Sequence, residues 1–429
     1  MSARLNYGKT FLLGFGFFGV SVIWGVYNAF VPIFLADKFG LAPAIIGFFM
    51  TLDNIAALLI QPPVGAWSDR LRTPWGRRIP FIIFGAPVTA IAFGLIPLAA
   101  ALPLFVACTS TMLLSAALWR TPVVALMPDI TPSKFRSQAN GIINFMGGIG
   151  AIVALQTGGI LYKLSPNFPF WLGSALAVIA ALIVFIFIKE PREYEDTEPT
   201  EQPSMIASLK EVVNDPDKSG LRILLAIFFW FIGFSAVETF FTLYAKNHLG
   251  LNEGDGATLL SVLPLFFVLA AIPSGYVAGK IGRRTTILIG LIAITIMLIL
   301  LYVTPAGALL TGIAPLPLVG IPLVEGGARM LTLAGVFLIL GGIGWAFINI
   351  NSLPMIVDLT SAARIGTFTG LYYLFSTFSA IVGPNVNGWA VQLTGGDYNT
   401  IMIIAPVFMM IAFWLMVGVK RGEAVTGSE

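Results

Sequence analysis

Twelve apolar stretches recur along the 429-residue chain, each about as long as the roughly 20 residues a helix needs to cross some 30 Å of hydrocarbon. They lie near 11–35, 43–66, 80–100, 103–128, 138–162 and 170–188, then near 221–247, 256–280, 285–304, 331–356, 365–391 and 397–419. Only 10% of residues are charged and 57% are hydrophobic, with a mean hydropathy of +0.90, which excludes an ordinary soluble domain. The expected fold is therefore an all-α membrane protein of twelve transmembrane helices. The single cysteine, Cys108, rules out an internal disulfide framework and reads as a small packed side chain.

The second set of spans repeats the first. At a shift of 210, Phe30 falls on Phe240, Gly40 on Gly250, Leu41 on Leu251, Pro63 on Pro273 and Gly65 on Gly275. Gly76-Arg77-Arg78 then falls on Gly282-Arg283-Arg284, and at a shift of 229 Asp129 meets Asp358, Gly141 meets Gly370 and Gly159 meets Gly388. Identities in this order at matching positions mark a duplicated six-span unit, an arrangement that in transporters encloses a central site. The domain expectation follows: a bundle over 1–188, a linker over 189–220, a second bundle over 221–419 and a tail over 420–429. The linker carries nine of the chain's 21 acids and several prolines, with a short amphipathic surface helix expected near Met205 to Val213.

Nineteen of the 24 lysines and arginines sit in the tails and in the loops after the even-numbered spans. The positive-inside rule then places both termini in the cytoplasm of a multi-pass protein of the cell membrane. Within the spans charges are few, and each costs at least about 2.5–3.5 kcal/mol to insert, so each is a functional candidate. Asp53 lies in span 2, Arg120 in span 4 and Glu238 in span 7; their repeat mates are Leu263, Asn349 and Asn28, so each charge occurs in one half only. A charge needed by the fold alone would be expected in both. Asp53 is the preferred proton carrier, because a carboxyl out of bulk water can exchange a proton near neutral pH, with a structural pairing to Arg120 or Asn54 as the alternative. Glu238 either shares that role or accepts substrate hydroxyls.

The loop at 65–82, GAWSDRLRTPWGRRIPFI, packs five charges between two spans. Its Gly65, Ser68, Asp69, Arg70, Gly76, Arg77, Arg78, Pro80, Phe81 and Ile82 resemble the loop between helices 2 and 3 of the major facilitator superfamily. More narrowly, they resemble the proton-coupled sucrose and related sugar transporters, which are allied to the glycoside-pentoside-hexuronide cation symporters. The resemblance implies two pseudo-symmetric six-helix bundles and a secondary transporter, not an enzyme, that carries a mono- or disaccharide with a proton by alternating access. Arg120 matches by position an arginine of helix 4 in that group, where a guanidinium fork suits paired hydroxyls.

Sugars also call for amides and aromatic rings. In spans that line the cavity of the resembling fold these are Tyr27, Asn28, Asn144, Gln156, Asn349, Asn351, Tyr372, Tyr373, Asn385 and Trp389, with Asn140 and Asn144 one turn apart on one face. Any one of them can instead be an interhelical hydrogen bond. At the cytoplasmic side Asp129 with Arg136, and Asp358 with Arg364, are expected to form a gate with Asp69, Arg70, Arg77 and Arg78. No bound cofactor or metal is expected, and the coupling ion is a proton rather than sodium. No G-x-x-x-x-G-K-[ST] occurs, which disfavours ATP-driven transport. The partners are a small-molecule substrate and the bilayer, with no nucleic acid, for a monomer. The rival expectations are a proton-coupled exporter of a drug or metabolite and a transporter-like membrane sensor.

Overall fold

A computed structural model describes residues 6–131, 135–190, 205–317, 319–324, 327–359 and 365–422, with the backbone alone at 136–137, 205–208 and 365–367. It is helical nearly throughout. In order, the helices are α1 Tyr7–Ile33, α2 Pro43–Phe49, α3 Leu52–Arg70, α4 Ile79–Leu95, α5 Leu102–Ile130, α6 Arg136–Tyr162, α7 Phe168–Phe187 and α8 Met205–Asn214. There follow α9 Ser219–Asn247, α10 Glu253–Leu260, α11 Val262–Ile281, α12 Arg283–Val303, α13 Ala306–Leu309, α14 Leu333–Val357, α15 Ile365–Leu393 and α16 Ile401–Val417. Eleven stretches among the described residues are long and apolar enough to span a bilayer. The twelfth expected span is α15, whose 29 residues suffice in length but include Tyr372, Tyr373, Ser376, Asn385 and Asn387.

Contacts divide the chain into two units: Met1–Leu41 with Leu52–Glu195 and Leu251–Ser261, and Ala42–Thr51 with Asp196–Gly250 and Val262–Glu429. Within unit 1, α1 packs on α6 and α7, α4 on α5 and α7, α3 on α5, and α10 on α6. Unit 2 reproduces each pairing with the repeat mates: α9 on α15 and α16, α12 on α14 and α16, α11 on α14, and α2 on α15. Apolar side chains gain little by leaving lipid for protein, so this packing relies on close fit at small residues, such as Gly25 against Ala154 between α1 and α6.

The duplication is visible in backbone detail. Gly40 and Gly250 end spans 1 and 7 with φ of 63° and 71°, and Gly76 and Gly282 precede α4 and α12 with φ of 108° and 90°. These are left-handed conformations that a side chain would strain. Spans 2 and 8 are both interrupted at the same repeat position. At each break a hydroxyl turns back on its own helix: Thr51 Oγ1 donates to the Phe48 carbonyl and Ser261 Oγ to that of Thr258, both at 2.6 Å. The short outer pieces, α2 and α10, belong by their contacts to the other unit from the rest of their span.

Two features lie outside the repeat. Between α12 and α14 the chain forms a small antiparallel sheet, β1 Gly312–Pro315, β2 Ile321–Pro322 and β3 Arg329–Thr332, with β3 central and a bulge between Gly312 and Ala314. The surface helix expected near Met205 to Val213 is α8, which packs on α9 and α15 and buries Val212.

Beyond α8 the chain is clasped to its own end. Ser219 Oγ accepts from the Lys420 and Arg421 amides at 2.9 and 3.3 Å, and Arg421 pairs with Asp215 at 3.1 Å and with Asp217. Hydrogen bonds from the Ser219 hydroxyl and amide, and secondarily the Arg421 guanidinium, lower the Asp217 carboxyl to about 2. A depressed carboxylate contributes stability that is present above its ordinary value of 3.8 and is lost as pH falls through about 2, so the clasp is closed at neutral pH. Asp217→Asn is expected to speed tryptic cleavage after Arg421 several-fold at pH 7, since proteolysis follows the open population. An unchanged rate would show that the clasp does not shield that bond.

Candidate functional site

At the end of unit 1 that bears the arginine loop, called here the inner end, three helices converge on one carboxylate. Asp129, in the last turn of α5, accepts from Arg77 Nη2 at 2.7 Å, Arg77 Nε at 3.3 Å and Arg78 Nε at 2.9 Å. Arg78 also reaches Ser68 Oγ and Asp69 Oδ1 at the end of α3. Its side chain is 5% exposed, that of Asp129 12%, and that of Asp69 55%, so the Asp129 arm is the shielded one. The sequence carries this geometry in a simple way. Gly76 permits the reversal into α4, and the two arginines then stand at the N-terminus of α4 beside the C-terminal ends of α3 and α5.

Glu190 completes the cluster. Its carboxylate accepts from the backbone N–H groups of Arg77, Arg78 and Ile79 at 2.7, 2.8 and 2.7 Å, satisfying first-turn donors of α4 that have no partner in the helix itself. Sequence reasoning missed this residue because it falls within the acidic stretch assigned to a solvated linker. Its position two residues after a span was the available signal.

In unit 2 the same corner is built differently. Arg283 pairs with Asp358, the mate of Asp129, while Arg284 Nε donates to the Met416 carbonyl at 3.1 Å and its Nη2 to that of Val417 at the end of α16. Among the residues of the expected gate, Asp129 is engaged by Arg77 and Arg78, and Asp358 by Arg283. The Arg136 side chain and Arg364, named from spacing, lie outside the described residues. Arg70 is exposed at the end of α3. The ion pairs described here lie inside each unit, so they brace its inner end.

Deeper in unit 1, Asp53 stands in the first turn of α3, directly after the break at Thr51, where the positive end of the helix dipole favours negative charge. It accepts from Asn54 Nδ2 at 2.8 Å. Tyr27 is fully buried, and its hydroxyl has no hydrogen-bond partner among the described residues; Asn28 beside it is half-buried. Arg120 is exposed on α5. It stands at another depth, because a Cβ on Gly65 of α3 would lie 3.7 Å from Thr121 Cγ2, and Gly65 is twelve residues beyond Asp53, roughly 18 Å at 1.5 Å per residue. A permanent Asp53–Arg120 pair does not fit that offset. On α6, Asn144 is exposed and donates to Asn140 Oδ1 at 3.0 Å, as their one-turn spacing implies, whereas Gln156 spends its amide on Ser261 at 2.6 Å.

In unit 2, Glu238 is exposed on α9 and shares a face with Phe234 and Phe231, four and seven residues earlier. Phe234 stacks on Trp345 of α14 with centroids 3.7 Å apart and planes 2° from parallel, and Phe231 meets the same ring edge-on at 5.3 Å. A carboxylate one turn above a half-buried phenylalanine that is backed by a buried tryptophan was not foreseen; Phe-x-x-Phe-x-x-x-Glu was its signal. Asn349 is half-buried on α14, with its carbonyl accepting from Ser352. Asn351 is 3% exposed and donates to Ser274 Oγ on α11 at 2.9 Å, which makes it an interhelical tie. The Tyr372 hydroxyl meets Ser352 Oγ at 3.1 Å, and Tyr373 beside it is exposed. Asn385 and Trp389 line an apolar groove of about 610 Å³ between α15 and α16, walled by Val386, Leu393, Ile404, Val407 and Phe408. Such a wall suits acyl chains better than a polar solute.

Residues 13–335 match the Major Facilitator Superfamily. The chain is 26% identical over 281 residues to multidrug resistance protein 2 of Bacillus subtilis (strain 168), covering 64% of this chain and 67% of that protein. It is 23% identical over 414 residues to the isoprimeverose transporter of Lactiplantibacillus pentosus, covering 89% and 78%. In fold it is similar to a bacterial homologue of the human lysosomal transporter Spinster, with a TM-score of 0.74 at 15% identity over 99% of this chain and all of that one. The duplicated spans, the paired bends and the buried arginine corner define a polytopic secondary transporter rather than an enzyme. The chain belongs to the major facilitator superfamily.

Proposed function

We propose that the chain is a proton-coupled symporter of a mono- or disaccharide, with both termini cytoplasmic, no bound cofactor and a proton rather than sodium as coupling ion. The observation that carries this reading is the Phe234–Trp345 stack one turn below Glu238. A pyranose presents a C–H face that packs on an aromatic ring and hydroxyls that a carboxylate accepts; the half-buried Phe234, backed by the buried Trp345, and the exposed Glu238 supply the two on one face of α9. The alignment with a sugar transporter across 89% of the chain supports it.

A second reading, proton-driven export of a lipophilic drug, is favoured by the likeness to a multidrug resistance protein and by the same aromatic rings. Reconstitution in liposomes with an imposed pH gradient separates the two. Labelled mono- and disaccharides are expected to accumulate against their gradient, and Phe234→Ala to weaken apparent affinity by up to about tenfold, since a ring contact is worth about 0.5–1.5 kcal/mol and 1.4 kcal/mol is tenfold. Gradient-driven movement of a lipophilic cation with no sugar uptake would reverse the assignment.

A further inference from the structure

Between span 9 and span 10 the second half of the chain is longer than the first: the shift from mate to mate is 206 at Gly76 and Gly282 and 229 at Asp129 and Asp358. The added residues fall in the connection from α12 to α14, residues 304–332, where the first half needs only residues 96–101 between α4 and α5. A connection of that length running through water is normally rich in polar side chains. This one has two charged residues in 29, Glu325 and Arg329, and 15 apolar ones.

The sheet that it forms stands directly on a span. Thr332 is both the last residue of β3, paired with Gly312 of β1, and the N-cap of α14, where its Oγ1 accepts from the Gly335 amide at 3.2 Å. Leu323 lies across the same strand pair, since a Cβ on Gly312 would come within 2.8 Å of Leu323 Cδ1. Ile313 and Leu323 are therefore held beside the first turn of α14, yet they are 53% and 40% exposed, and Val324 is 69% exposed. Val319 and Ile321 are buried, so the connection has a small core of its own that leaves these three outside. On α12, which packs against α14, Ile292, Ile296, Ile299 and Val303 form an exposed apolar stripe at helical spacing that runs up to Tyr302. A tyrosine at the end of a span is suited to the membrane boundary, with its ring in the apolar layer and its hydroxyl at the headgroups.

We propose that this sheet is a membrane-interface anchor: Ile313, Leu323 and Val324 lie among the headgroups and upper acyl chains of the adjoining leaflet, and the partner of this surface is phospholipid. Two spans, α12 and α14, lead straight into the sheet and hold its apolar face at the membrane boundary. A further strand is the other occupant that an open sheet invites. Each edge strand, however, carries a proline, Pro315 in β1 and Pro322 in β2, which has no N–H to offer one. Backbone groups are costly in an apolar layer unless paired, and the central position of β3 pairs it on both sides. The anchor lies wholly within unit 2 and acts whatever solute is carried.

The test uses full-length protein in phosphatidylcholine liposomes on a Cys108→Ser background. Single cysteines are placed at Ile313→Cys, Leu323→Cys and Val324→Cys and, for reference, at Thr394→Cys, exposed in the polar turn between α15 and α16 at the same end of unit 2. With a charged, impermeant thiol reagent on both sides of the membrane, the three sheet sites are expected to react about tenfold more slowly than the reference, as for thiols in water a tenth of the time. Bimane attached at Ile313→Cys and Leu323→Cys should be quenched by phosphatidylcholine carrying a nitroxide high on its acyl chain, and bimane at the reference should not. Ile313→Asp with Leu323→Asp should lift the sheet into water and bring Val324→Cys to the reference rate, a gain of about tenfold. Sheet sites that react as fast as the reference would overturn the anchor. So would slow reaction without nitroxide quenching, which would mean that protein, such as a second copy of the chain, covers the sheet. A Val324→Cys rate indifferent to the two aspartates would overturn it as well.

Discussion

Arg78→Ala is expected to destabilise the protein by about 3 kcal/mol, the cost of removing one partner from a buried ion pair and leaving the other uncompensated. Asp129 would keep Arg77 but lose the shorter of its two Nε contacts, at 2.9 Å. Ser68, fully buried, would lose the guanidinium it receives. In purified protein this corresponds to an apparent melting temperature lower by on the order of 3 °C. Arg78→Lys should not rescue, because an ammonium cannot serve Ser68, Asp69 and Asp129 in the fixed directions of a guanidinium. The control is the repeat mate of Arg77. The Arg283–Asp358 side chains are 23% and 37% exposed, so solvent screening leaves that pair worth under about 1 kcal/mol, and Arg283→Ala should shift melting by no more than about 1 °C. Equal shifts in the two variants would mean that burial does not set the value of these pairs.

The asymmetry of those corners shows what the chain discloses by pattern and what it does not. Gly40 with Gly250 and Gly76 with Gly282 were legible because a positive φ demands glycine wherever the fold repeats. The particular bonds to Asp129 were not, since Arg77 and Arg78, grouped with it in one gate, are some fifty residues away and meet it because α4 starts where α5 ends. Spacing along the chain also paired it with Arg136, whose side chain lies outside the described residues. The amides were hard for another reason. A span apolar on all sides carries almost no periodicity to tell which face meets a neighbouring helix, so Asn351 and Gln156, tied to Ser274 and Ser261, could not be told from the exposed Asn144. Glu190 looked like linker because a carboxylate beside a span end is usually solvated, and only the α4 amides opposite give it a different task. The three short strands after α12 were not expected, because the stretch between two spans held Gly and Pro punctuation without a sustained alternation.

Neutralising a single mid-span carboxylate is expected to abolish concentrative uptake while sparing exchange. Asp53 and Glu238 occupy non-equivalent repeat positions, one in the first turn of α3 and one exposed on α9, so they need not do the same work. The energy available decides how to tell them apart. One proton per solute and one pH unit supply about 1.36 kcal/mol, enough for roughly tenfold accumulation, whereas two protons supply roughly a hundredfold. If Asp53 alone carries the coupled proton, the parent accumulates solute about tenfold per pH unit and Asp53→Asn, which copies the protonated side chain, falls to a ratio near one. Counterflow between solute pools on the two sides, which needs no net proton movement, continues in that variant. Glu238→Gln should then retain the slope of accumulation against pH gradient and lose affinity instead, as expected of a group that accepts substrate hydroxyls. A parent slope near a hundredfold, reduced to tenfold by either substitution, would assign one proton to each carboxylate. A slope that survives Asp53→Asn unchanged would remove Asp53 from the coupling path.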